Sequence, residues 1–84
     1  MAQNPIMGGQ AEHALDATGL RCPLPVLRAR KAMKELKVGS VLEVRATDLA
    51  APKDFRAFCE MAGHEFLEER REGEVFVLRI AKGG

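Results

Sequence analysis

The hydropathy pattern of this 84-residue chain predicts an α+β fold: a two-layer sandwich with two helices packed on one face of a four-stranded mixed sheet. Three observations carry that expectation. Val41–Ala46 and Val75–Ile80 alternate apolar and polar residues with the period of half-buried strands. Two longer segments, after Pro23 and after Pro52, each gather their apolar residues on one helical face, so each needs a single surface to cover it. Gly39, Gly63 and the Glu72-Gly73 pair fall between these segments, where chain reversals belong.

Taken in order, residues 1–13 carry Gln, Asn, Pro and paired Gly without any period and are expected to form a flexible N-terminal tail. A single domain is expected over residues 14–82. Ala14–Ala17 reads as a short strand with Leu15 and Ala17 inward, ending at Thr18-Gly19. In the helix that follows, Val26, Ala29, Ala32, Met33 and Leu36 share a sector of about 120° and should face the core. Leu24 and Leu27 fall outside that sector, as do the charged residues, and Gly39 fits the helix stop. Val41–Ala46 then places Leu42, Val44 and Ala46 on one face. Pro52 suits the first turn of a second helix that runs to about Ala62 and stops at Gly63, with Phe55, Phe58, Cys59 and Ala62 on its buried face. Phe66-Leu67 opens a third strand, and Val75–Ile80 is the fourth, with Phe76, Leu78 and Ile80 inward. The order β-α-β-α-β-β makes the first two strands parallel and adds an antiparallel hairpin.

Charge and size limit the function. Thirteen Lys and Arg against twelve Asp and Glu leave a net charge of +1, too balanced for a protein that binds by neutralising many phosphates. A chain this short buries only roughly 60% of its unfolded surface, which disfavours a large enclosed active site. No targeting signal or membrane-spanning run is legible, so a cytoplasmic protein with two reduced thiols is expected, with no membrane partner.

The chemistry concentrates in GLRCPLPVL, residues 19–27. With Cys22 just ahead of the first turn, Pro23 would occupy a position where a missing N–H costs nothing, and Pro25 would stiffen the bend. The helix dipole and Arg21 would then favour thiolate over thiol, and equally a persulfide anion. Cys-His catalysis lacks a well-placed base, because His13 lies in the tail and His64 follows a helix stop. Cys-x-x-Cys exchange is absent, since position 25 is proline, and two distant cysteines with two histidines do not make a zinc site. Such a thiol suits the holding of a transferable group, with no metal and no cofactor. Leu24, Leu27, Arg28 and Lys31 are the candidate partner-docking residues. Cys59, on an apolar helix face, is expected to be buried packing.

The run Leu15-Asp16-x-x-Gly19-Leu20-Arg21-Cys22-Pro23-x-Pro25-Val26, with Lys31, Gly39, Asp48, Asp54, Phe58-Cys59 and Gly63-His64 at matching separations, resembles the TusA (SirA-like) family of sulfur carriers. Many members have Asp-Pro where this chain has Asp48-Leu49. The resemblance implies a fold like the C-terminal domain of bacterial translation initiation factor three. It also implies a persulfide on Cys22, supported by Arg21, Pro23 and Pro25, taking sulfur from a cysteine desulfurase or rhodanese-like donor. Delivery to a DsrE-like acceptor would lead to tRNA thiolation or sulfur oxidation, by a carrier rather than a stand-alone catalyst, and a monomer suffices. The alternative readings are a regulatory or RNA-associated binding module, against which the scarcity of aromatic residues counts, and a redox sensor using both thiols.

Overall fold

In the computed structural model, which describes residues 13–84, the elements follow the expected order. They are β1 (His13–Ala17), α1 (Leu24–Lys34), β2 (Val41–Ala46), α2 (Ala51–Ala62), β3 (Glu65–Glu72) and β4 (Val75–Ala81). The sheet order is β1-β2-β4-β3, with β1 parallel to β2 and the other neighbours antiparallel. Parallel strands cannot be joined by a tight turn, so α1 is the crossover between them. β1 starts with His13, paired to Leu42, and the rest of the expected tail lies outside the described residues.

Alternation decides which strand faces form the core. Leu42, Val44 and Ala46 of β2 meet Phe76, Leu78 and Ile80 of β4 and Ala17 of β1 in one buried cluster. The helices lay Ala29 and Met33 of α1, and Phe55, Phe58 and Cys59 of α2, onto it. Alanines at positions 17, 29 and 46 are fully buried, which lets α1 approach the sheet closely. Phe55 has no exposed surface and meets Phe58 edge-on at 6.3 Å. At Gly63, φ is 80°, the left-handed conformation that lets its N–H and that of His64 both return to the Cys59 carbonyl and close α2.

Four details differ from the sequence expectation. The buried row of α1 is Pro25, Ala29 and Met33, rotated toward Pro25, with Val26 and Ala32 only half-buried. A proline at the second helical position loses no hydrogen bond, so it is free to serve as an apolar core residue. Ala62 is exposed, because the last turn of α2 presents it to a groove between the helices. α1 ends at Lys34, ahead of Gly39, whose N–H instead reaches the Lys82 carbonyl at 2.8 Å. Val77, on the face of β4 away from the core cluster, is nevertheless fully buried between its cross-strand neighbours Arg45 and Arg70. Both arginines reach the Glu72 carboxylate, at 3.1 and 3.0 Å, which ties together the two side chains that flank the valine in register.

Candidate functional site

The parallel register pairs Ala17 with Ala46, so β1 and β2 end side by side and the loops that follow them must lie together. The first carries Thr18 to Pro23, the second Thr47 to Ala50. Asp16 folds the first loop back: its carboxylate accepts the Thr18 N–H at 3.0 Å and hydroxyl at 2.7 Å. These two bonds hold the Asp16 carboxyl below its ordinary range. Gly19 takes the left-handed turn, with φ at 80°, and donates its N–H to the Thr47 hydroxyl at 2.8 Å. Cys22 donates its own N–H to Asp48 Oδ2 at 3.3 Å. The cysteine turn is thereby fastened to the neighbouring loop at two points.

The helix begins one residue later than the sequence reading placed it. Pro23 occupies the cap position, the Cys22–Pro23 peptide is cis, and Leu24 is the first helical residue. The expected cluster of free amides does not form. Neither proline has an N–H, Leu24 donates to the Arg21 carbonyl at 2.8 Å, and Leu27 donates to the Pro23 carbonyl at 3.1 Å. Val26 is the remaining amide of that turn.

The Cys22 thiol is exposed and is not paired with Cys59. Its charged surroundings are the reverse of those expected. Sγ lies with the Asp48 and Asp54 carboxylates in a group whose ligand atoms are all within 4.8 Å of one another. The hydrogen bond to Asp54, desolvation, and then the charges of Asp54 and Asp48 push the thiol above its ordinary value, whereas a helix start beside Arg21 was expected to lower it. Arg21 is exposed and makes no ion pair among the described residues. One sulfur and two carboxylates fall short of the four ligands a structural zinc takes, and here the Asp48 carboxylate already accepts the Cys22 N–H.

Leu24, Leu27, Arg28 and Lys31 follow the i, i+3, i+4, i+7 spacing and form one exposed stripe on α1, the leucines 44% and 47% exposed. The adjacent side of α1 borders a groove of about 640 Å³ shared with α2, which starts at Cys22 and is lined by Val26, Met33, Phe58 and Met61. Arg30 rests over the Phe58 ring at 5.9 Å. His64 is a structural anchor: its Nδ1 accepts the Gly83 N–H at 3.1 Å and its ring meets Phe58 at 5.3 Å. Burial, helped by the charge of Lys82, keeps its imidazole below the usual value. Cys59 is 3% exposed, and burial pushes its thiol up to about 11.

No local sequence pattern ties Asp48, Asp54 or Thr47 to Cys22. The signal that places them at the site is topological: loops that follow two neighbouring parallel strands share one end of the sheet.

The family model described as Sulfurtransferase TusA matches residues 13–82. The chain belongs to the TusA family. The sulfur carrier protein TusA of Allochromatium vinosum is 46% identical over 71 residues, 84% of this chain and 93% of its own length. YrkI of Bacillus subtilis is 45% identical over 74 residues, 88% of this chain and 99% of its own. The crystal structure of a SirA-like protein from Desulfitobacterium hafniense superimposes with a TM-score of 0.70 at 32% identity, covering 86% of this chain and 99% of the other. The TusA-family fold is therefore the two-helix, four-stranded mixed sheet read from the sequence. No described helix is long and apolar enough to cross a membrane.

Proposed function

We propose that this TusA-family protein is a sulfur carrier that accepts sulfane sulfur as a persulfide on Cys22 and passes it to a partner protein. The observation that carries the reading is an exposed, free thiol on a turn fastened by the Gly19–Thr47 and Cys22–Asp48 hydrogen bonds. A relative across most of the chain is named a sulfur carrier protein, which supports the same role.

Loading is a sulfur exchange that needs no outside oxidant. Cys22 sulfur attacks the outer sulfur of the donor's persulfide, a new S–S bond forms, and the donor's S–S bond breaks. The electron pair goes to the donor cysteine, and the proton lost by Cys22 ends there as a thiol. Delivery repeats the exchange with Cys22 as the leaving group. Pro23 and Pro25 restrict the turn, and the Leu24, Leu27, Arg28, Lys31 stripe beside it is the docking surface, with Arg21 at its edge. The donor is a cysteine desulfurase or rhodanese-like protein and the acceptor a DsrE-like one. The carrier works as a monomer in the reducing cytoplasm, with no nucleic acid, metal or cofactor.

Incubation with a cysteine desulfurase and cysteine, or with a rhodanese and thiosulfate, should add the mass of one sulfur atom that dithiothreitol removes. Cys22→Ser should gain none and Cys59→Ser should load like the parent. Equal loading of Cys22→Ser rejects the assignment.

A further inference from the structure

The surroundings of Cys22 pose a difficulty for a nucleophile. Sulfur exchange is carried by the thiolate, yet two carboxylates stand against this thiol. The charged groups nearest in the fold come from three places. Arg21 is on the same turn, Arg30 and Lys34 are along α1, and Asp48, Lys53 and Asp54 are on the second loop and the start of α2. Arg30 is occupied over Phe58, and Arg21 makes no ion pair with either carboxylate. His64 and Lys82 border the same groove, but His64 follows the far end of a twelve-residue helix, roughly 15 Å along its axis from Asp54. The charges that act on the sulfur are therefore Asp54 and Asp48.

We infer that Asp54 and Asp48 are positioning residues that hold the Cys22 thiol protonated and poorly nucleophilic in the free carrier, and that a cation brought by the sulfur donor releases it by neutralising them. The inference rests on the carrier reading above. Asp54 stands against the thiol and Asp48 fixes the Cys22 amide, so the pair both aims the sulfur and opposes its ionisation. A guanidinium or ammonium group placed against these carboxylates removes the repulsion and leaves the aim intact. An unoccupied carrier is thereby shielded from small electrophiles and oxidants, which bring no such charge, while a docked donor finds a thiolate.

Two assays separate the inference from the reading beneath it. The first follows iodoacetamide modification of Cys22 by peptide mass spectrometry against pH, and involves no sulfur transfer. Asp54→Asn should move the rate–pH midpoint down and speed modification at pH 7 by roughly three- to tenfold, with a smaller gain for Asp48→Asn. Raising salt from about 0.01 M to about 1 M should move the parent's midpoint the same way, which tests the repulsion without any substitution. Unchanged midpoints in both variants, with parental circular dichroism, or no effect of salt on the parent, overturn the inference. The second assay measures loading by a cysteine desulfurase. Asp54→Asn should gain less than about twofold there, because the donor already supplies the neutralising charge. A loading gain equal to the alkylation gain overturns the role of the donor's cation. If the parent accepts no sulfur from any donor, the carrier reading fails, and the alkylation profiles still decide what the two carboxylates do.

Discussion

The two cysteines of this protein occupy opposite kinds of place, and both thiols are held above their ordinary ionisation range. Cys59 is buried on α2 beneath Phe58, and loss of water around it pushes it to about 11. Cys22 stands exposed at the mouth of α1, where a hydrogen bond to Asp54, desolvation, and the charges of Asp54 and Asp48 push it in the same direction. The causes differ, and so does what can undo them. A passing cation or one substitution can relieve the exposed thiol; only unfolding relieves the buried one. Direction of shift therefore says little about function until its source is identified.

The sharpest break between the two sites should come from serine substitution. Cys22→Ser is expected to abolish sulfur loading and leave the unfolding free energy within about 0.5 kcal/mol of the parent, since it alters an exposed position. Cys59→Ser should load normally but lose about 1–3 kcal/mol in urea unfolding, because it sets a hydroxyl in the core. Next in size, native-state alkylation of Cys22 should exceed that of Cys59 by roughly a hundredfold and the two should converge in denaturant, as expected for a site reached only by opening. Comparable native rates would place Cys59 at the surface.

Alkaline titration should show a smaller effect. Cys59 has its folded value raised above the unfolded 9.0 to about 11, so its neutral form belongs to the folded state. Its contribution is complete below about pH 9 and is lost as pH climbs toward 11, on the order of 2 kcal/mol in all. Cys59→Ala should flatten that slope in chemical unfolding measured from neutral to alkaline pH, whereas Cys22→Ser should leave most of it. The smallest expected change is Thr47→Val, which removes the acceptor for Gly19 N–H and should lower stability by about 1 kcal/mol without altering alkylation of Cys59.

Local pattern carried much of this into view from the sequence. Alternation in Val41–Ala46 and Val75–Ile80 placed the core faces of β2 and β4, and the apolar neighbours of Cys59 marked it as buried. GLRCPLPVL located the turn that carries the exposed cysteine. What local pattern could not show depends on distant partners. Val77 is buried although it faces away from the core cluster, with Arg45 and Arg70 opposite it on the two neighbouring strands. Pro25 reads as a chain breaker until a core lies beside it, and Ala62 shares the helical face of Phe58 but lies at the groove. The charge around Cys22 was misjudged for the same reason. Arg21 is its neighbour in sequence, whereas Asp48 and Asp54 become neighbours only through the parallel pairing of β1 with β2 and the packing that follows.

That pairing has a last consequence. His13 opposite Leu42 and Ala81 opposite Val41 put both ends of the sheet-forming chain at one rim, while Ala17 and Ala46 lead to the cysteine turn at the other. Five residues of extended strand, roughly 16 Å, separate the two rims. Cargo spliced behind β4, whether an affinity handle, a fluorophore or an entire second module, would hang behind the body like a grip behind a blade, leaving the far tip clear.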